Sequence, residues 1–177
     1  MTNMMKAEKR KLQDIFEFRS IRKDEAEQTA EMEVICFESH EVCEREDMIA
    51  RVEAVPEMFL VAADRETGML AGFLNGIATR ERDFRDDFFT DPGLHDPDGE
   101  NVMLVGLEVL PGYRGQGLAA EIMKLYAERE RERGRKRMVL TCHTRLVEMY
   151  SKMGFSDLGK SASEWGGEKW HEMEMLL

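Results

Sequence analysis

Val102 to Ala120 reads VMLVGLEVLPGYRGQGLAA. It starts as an apolar strand, turns at Pro111 and Gly112, passes the short loop around Arg114-Gly115-Gln116-Gly117, and opens a helix expected from Gly115 to about Arg133. Glycines in such a loop let the backbone approach a ligand with no Cβ in the way. The N–H groups of a helix's first turn have no intrahelical acceptor, and the helix dipole makes that spot favourable for anions. A strand running into this loop is a cradle for a phosphate or pyrophosphate. It is not a Walker A loop, because no Gly-Lys-Ser/Thr follows. Nor is it a G-x-G-x-x-G dinucleotide fingerprint, and it lies late in the chain.

Outward from this stretch, the chain alternates strand and helix signals. Ile15–Ile21 alternates apolar and polar residues, as a strand does. Asp24–Phe37 and Glu44–Val55 carry mostly helical periodicity, and Pro56 ends the second. Met58–Asp64 and Met69–Ala78 read as two strands around the turn Arg65-Glu66-Thr67-Gly68, with Gly72 and Gly76 marking a bulge or a close approach. After the glycine loop come a helix closed by Gly134, a strand Arg137–Cys142, a short helix Thr144–Lys152, a strand beginning near Phe155, and a final strand Lys169–Leu177. The order β-α-α-β-β-β-α-β-α-β-β gives one α+β domain with a mixed sheet over 15–177. Residues 1–14 form an extension, helical or disordered.

Between the third and fourth strands lies Thr79–Asn101, with eight acidic and three basic residues and with Phe84, Phe88 and Phe89 among them. A connection this long is either a functional lid or disordered. Its phenylalanines and carboxylates would suit an amine with an apolar tail, or the rings are simply tucked onto the core.

The chain has 177 residues, 42% hydrophobic, and a net charge of −11, which suits a single domain with its own core. Such acidity argues against nucleic acid, whose phosphates need clustered Lys and Arg, and would attract a cationic small molecule. The three cysteines, Cys36, Cys43 and Cys142, have no paired spacing, so neither a disulfide framework nor a metal site is expected. No apolar run is long enough for a membrane helix, and the polar N-terminus lacks a signal-peptide core. A cytoplasmic protein is the expectation.

Arg114, Gly117 and Ala119 fill the Q/R-x-x-G-x-G/A loop of the GCN5-related N-acetyltransferases (GNAT), and Leu107-x-Val109-x-Pro111-x-Tyr113 resembles that family's fourth strand. Tyr150-x-x-x-Gly154-Phe155 is similar to its later aromatic motif. Within the family the likeness is to the arylalkylamine (serotonin) N-acetyltransferases, carried also by the Trp170-His171-Glu172-Met173 strand. The resemblance implies an acyl-CoA N-acyltransferase fold: a mostly antiparallel mixed sheet of about seven strands, helices on both faces, and splayed fourth and fifth strands. It departs at Met103 and Val105, where the arylalkylamine enzymes carry proton-accepting histidines.

The same resemblance implies a site. Leu107 and Val109 would hold the pantetheine arm of acetyl-CoA through their backbones, and an N–H near Leu107 or Glu108 would face the thioester oxygen. The N–H groups of Gly115, Gln116, Gly117, Leu118 and Ala119 would hold the pyrophosphate, with Arg114 adding charge or bracing the loop. Tyr150 would be the general acid that protonates the leaving thiolate. Glu108 lies beside the cofactor strand, but alternation aims it away from Val105 and Leu107; His143, His171 and Glu172 lie where a base could; a water chain would serve as well, and no base is singled out. The expected activity is acetyl transfer from acetyl-CoA to a primary amine of a small molecule, without a metal. A non-catalytic acyl-CoA sensor and an enzyme acting on a protein or peptide amine are the alternatives. Relatives often dimerise, so a homodimer is an open expectation.

Overall fold

The computed structural model describes residues 10–177. Of the extension expected over 1–14, residues 1–9 lie outside them. Seven strands form one sheet in the order β1-β2-β3-β4-β5-β7-β6. They are β1 Phe16–Arg19, β2 Phe59–Asp64, β3 Leu70–Thr79, β4 Asn101–Val109, β5 Arg137–Cys142, β6 Ser156–Lys160 and β7 His171–Leu176. The helices are α1 Leu12–Ile15, α2 Ala26–Cys36, α3 Arg45–Ala54, α4 Leu118–Glu132 and α5 Val147–Lys152.

Several boundaries are tighter than the sequence pattern predicts. A single helical turn precedes β1, whose residues are only the first half of the alternating run. The glycine-loop helix starts at Leu118 instead of Gly115, because Gly115 and Gly117 adopt φ of +80° and +83°. Left-handed backbone at both positions cannot continue a right-handed helix.

β2 is buried along nearly its whole length, and side chains alternate between the faces of a strand. Phe59, Val61 and Ala63 pack with Ala30 and Met32 of α2 and Met48 and Val52 of α3. Leu60 and Ala62 pack on the other face with Leu118, Ile122 and Tyr126 of α4. The sheet is thus covered by α2 and α3 on one side and α4 on the other. The near-continuous apolar reading of Met58–Asp64 follows from this double burial.

Two irregularities shape the centre of the sheet. Asn75 pairs with Gly106 and the next residue, Gly76, pairs with Leu104, so Val105 is the extra residue of a bulge in β4. Then β4 and β5, the one parallel pair, hold register only over Asn101–Met103 against Arg137–Val139. Beyond Met103 they part, while β5 stays paired with β7 through Cys142. The splay expected of the fourth and fifth strands is present.

The long connection between β3 and β4 is ordered. Phe84 and Phe88 are buried in the core, and short 3-10 turns span Asp86–Phe89 and Pro92–Leu94. The buried Arg51 of α3 donates to Asn75 Oδ1 at 3.1 Å and to the Phe89 carbonyl, tying the loop to the sheet. At its far end Arg135 donates to the carbonyls of Pro97 (2.7 Å) and Gly99 (2.5 Å). The phenylalanines therefore serve the core first; only Phe89 reaches the central cavity.

A Cβ at Gly72 would stand 2.7 Å from the Glu108 carbonyl oxygen and 3.1 Å from Ile122 Cδ1. Gly72→Ala is expected to force β3 and β4 apart and to lower the unfolding free energy by about 1–3 kcal/mol. Urea denaturation of the two proteins checks this; an unchanged midpoint would contradict it.

Candidate active site

The parting of β4 and β5 opens a cavity of about 750 Å3, within the range of small-molecule sites. Its lining comes from both sides of the sheet. Glu33 and Cys36 of α2, with Glu41 and Cys43 beyond it, line one end; Leu118 and Met123 of α4 and Met149 and Tyr150 of α5 line the other. The cavity therefore passes through the sheet where the strands separate.

Each expected site residue has a definite place. Leu110 donates its N–H to Ala71 of β3 at 2.9 Å. By strand alternation Glu108 also directs its backbone at β3, so Leu107 and Val109 turn theirs toward the opening. The Val109 carbonyl is already engaged: Arg114 Nε donates to it at 2.8 Å, and Cys36 Sγ at 3.6 Å. Arg114 thus braces the loop against β4. Gly115, Gly117, Leu118 and Ala119 line the cavity, and nothing lies within 4 Å of a Cβ built on either glycine. The backbone of the loop is open to a ligand from this side. Gln116 turns its side chain back to the Tyr113 carbonyl at 2.9 Å. Tyr113 itself donates to Asp64 at 2.7 Å and packs edge-on against Phe16, fixing the turn before the loop.

Tyr150 lines the same cavity on α5, held edge-on against Phe155. Burial pushes its phenol above the ordinary value.

His143, expected near the site, does line the cavity, and further residues join it. His143 accepts or donates a 2.7 Å hydrogen bond with Glu41 and stacks on Trp170 at 4.2 Å between ring centroids. Trp165 packs on Phe89 at 4.5 Å and donates to the Glu41 carbonyl. Both tryptophans line the cavity, besides packing. Glu33 gave no sequence signal: α2 has almost no one-sided apolar pattern, and its neighbour Glu108 lies on a distant strand. His171, by contrast, pairs with Asp157 at 3.2 Å and does not line the cavity.

A sheet split in this way, with a glycine loop and helix start at one mouth of the cavity, defines the acyl-CoA N-acyltransferase fold. The chain belongs to the acetyltransferase (GNAT) family, whose model it matches over residues 18–155. A thialysine N-epsilon-acetyltransferase from Bos taurus is 33% identical over 76 residues, covering 41% of this chain and 41% of that protein. The chain thus matches less than half the length of this curated relative. Among solved structures, the GphF GNAT-like decarboxylase in complex with isobutyryl-CoA superposes with a TM-score of 0.76 at 17% identity, over 90% of this chain and 98% of that one. Salmonella typhimurium yncA, solved with its cofactor acetyl-CoA, gives 0.64 at 16% identity, over 92% and 94%. At these identities the structural likenesses establish the fold.

The thiols offer a check on the cavity's geometry. Burial raises all three thiols, Cys43 to about 12 and Cys142 to about 11, but Cys36 is only partly buried and so the most accessible. Thiolate is the reactive form. Native alkylation at pH 7.5 is expected to label Cys36 well before the other two, read by peptide mass spectrometry. Equal labelling of all three would contradict this arrangement.

Proposed function

We propose that the protein is an N-acetyltransferase that moves the acetyl group of acetyl-CoA to the primary amine of a small molecule by direct attack. The observation that carries this reading is the cavity through the split sheet, with an anion-favouring helix start at one mouth and carboxylates at the other. The two ends suit two substrates meeting in the middle.

On this reading the diphosphate of acetyl-CoA rests on the N–H groups of Gly115, Gln116, Gly117, Leu118 and Ala119, where α4 adds its dipole. The pantetheine arm lies along Leu107 and Val109 as an added strand. The thioester oxygen is then close to the bulged part of β4, where the N–H of Leu107, turned toward the opening, would stabilise an oxyanion. Tyr150, on the cavity wall, protonates the departing thiolate. The family match and the thialysine acetyltransferase likeness support the activity. The motif likeness to arylalkylamine N-acetyltransferases favours a small amine over a protein, as does the cavity's enclosure by Phe89, Trp165 and Trp170.

A thiol-release assay over a panel of amines, polyamines and peptides, with mass detection of the product, tests the proposal. Tyr150→Phe is expected to lower kcat about 100-fold or more while leaving acetyl-CoA affinity within about two-fold. An unchanged kcat at saturating substrates would remove Tyr150 from the mechanism. Binding of acetyl-CoA with no turnover on any acceptor would favour the sensor reading, which the apolar Met103 and Val105 also suit.

A further inference from the structure

Two carboxylic side chains come together at this cavity, and among the described residues neither has an ion-pair partner. Glu108 is 1% exposed, and both of its carboxyl oxygens are buried without a hydrogen-bond partner among the described residues. Leaving such a group unpaired costs free energy, and a buried ionised carboxylate costs much more. Glu33, 5% exposed, approaches from α2 and accepts the Cys43 N–H at 3.1 Å.

The position is as informative as the burial. Phe73 and Glu108 are paired across β3 and β4, and Phe73 packs on the α2–α3 side, so Glu108 points to that side. A Cβ on Gly106 would stand 3.3 Å from Glu108 Oε1. The carboxyl therefore curls back toward the bulge at Val105, next to where β4 leaves β5. It sits at the level of the gap, on the face opposite α4 and its glycine loop. Arg51 is committed to Asn75 and the Phe89 carbonyl, and Arg114, beside Cys36, to the Val109 carbonyl.

We infer that Glu108, with Glu33 beside it, receives the ammonium group of the acceptor and takes its proton. This rests on the acetyltransferase reading. An ammonium supplies the donors that the Glu108 oxygens lack and the positive charge that the pair lacks. It loses one proton to the Glu108 carboxylate; its freed lone pair forms the C–N bond to the thioester carbon, and the carbonyl electrons move to oxygen. Their return breaks the C–S bond. The thiolate is protonated by Tyr150, which regains a proton from the nitrogen, and Glu108 later releases its own to solvent. One ammonium and one thioester give one amide, one thiol and one proton. Burial and repulsion by Glu33 hold the Glu108 carboxyl well above the usual carboxylate range, which brings its basicity closer to that of an amine. Glu33 is a positioning residue: it acts through Glu108.

The groups facing Glu108 are Glu33 and Cys36 from α2, Cys43 from the following loop, Arg51 from α3 through Asn75, Arg114 of the glycine loop through Cys36, and no other charged side chain of β3 or β4. Removing the charge of Glu33 lowers the Glu108 pKa, so its basic form persists to lower pH. The experiment compares the wild type with Glu108→Gln, Glu33→Gln and His143→Asn on the best amine of the panel. Acetyl-CoA affinity and melting temperature serve as controls for folding, and titration of the amine itself, without acetyl-CoA, serves as a binding readout independent of turnover. Glu108→Gln is expected to lose about 100-fold in kcat/KM for the amine and to weaken amine binding, with acetyl-CoA affinity kept. Glu33→Gln is expected to move the acid limb of the pH–rate profile to lower pH. Full activity and unchanged amine binding in Glu108→Gln would overturn the inference while leaving the acetyltransferase reading intact. So would an acid limb that survives in Glu108→Gln and disappears in His143→Asn. A wild type that neither binds nor acetylates any amine would overturn both.

Discussion

After three paired residues, β4 and β5 separate, and the backbone groups that would have bonded across the sheet are left facing a cavity. Buried amides and carbonyls without partners are costly, so a split in the middle of a sheet persists only where its supports are strong. Three are visible. The bulge at Val105 turns β4 outward. Arg114 caps the Val109 carbonyl from the loop side. β5 keeps its other edge fully paired with β7, so it does not follow β4. The cavity, the glycine loop at its mouth and the carboxyl pair at its opposite end all depend on that separation.

The two halves of the cavity differ because the two faces of the sheet differ. On the α4 side the chain presents backbone: glycines with left-handed φ and the first turn of a helix. Fixed N–H groups suit a large anionic ligand, since they need no side-chain ordering to bind it. On the α2 side it presents carboxyl groups and indole rings, which suit a cation with an apolar body. Division by a sheet keeps these unlike surfaces from neutralising one another.

The fold was legible because the decisive stretch is local. Strand, proline turn, glycine loop and helix follow one another within Val102–Ala120, and each is signalled by residue type. The start of α4 was misplaced because Gly115 and Gly117 read equally well as loop or first turn until their φ values are known. The connection 79–101 looked like a lid because its composition is polar; Phe84 and Phe88 are covered by contacts made far along the chain. Glu108 was visible as a strand residue turned away from Leu107, and the structure places it so. What alternation could not reveal is that the cavity crosses the sheet, so that a residue on the far face still reaches it. Glu33 was illegible for the same reason: its partner is brought to it only by the packing of α2 over β4.

The central claim is that the separated strands and the glycine loop form one continuous groove for acetyl-CoA. A crystal structure with the thioester bound tests it most directly. The account predicts the diphosphate against the amides of 115–119 and the pantetheine between β4 and β5, with its carbonyl near the bulge. A diphosphate bound elsewhere, or strands that close over the gap, would contradict it.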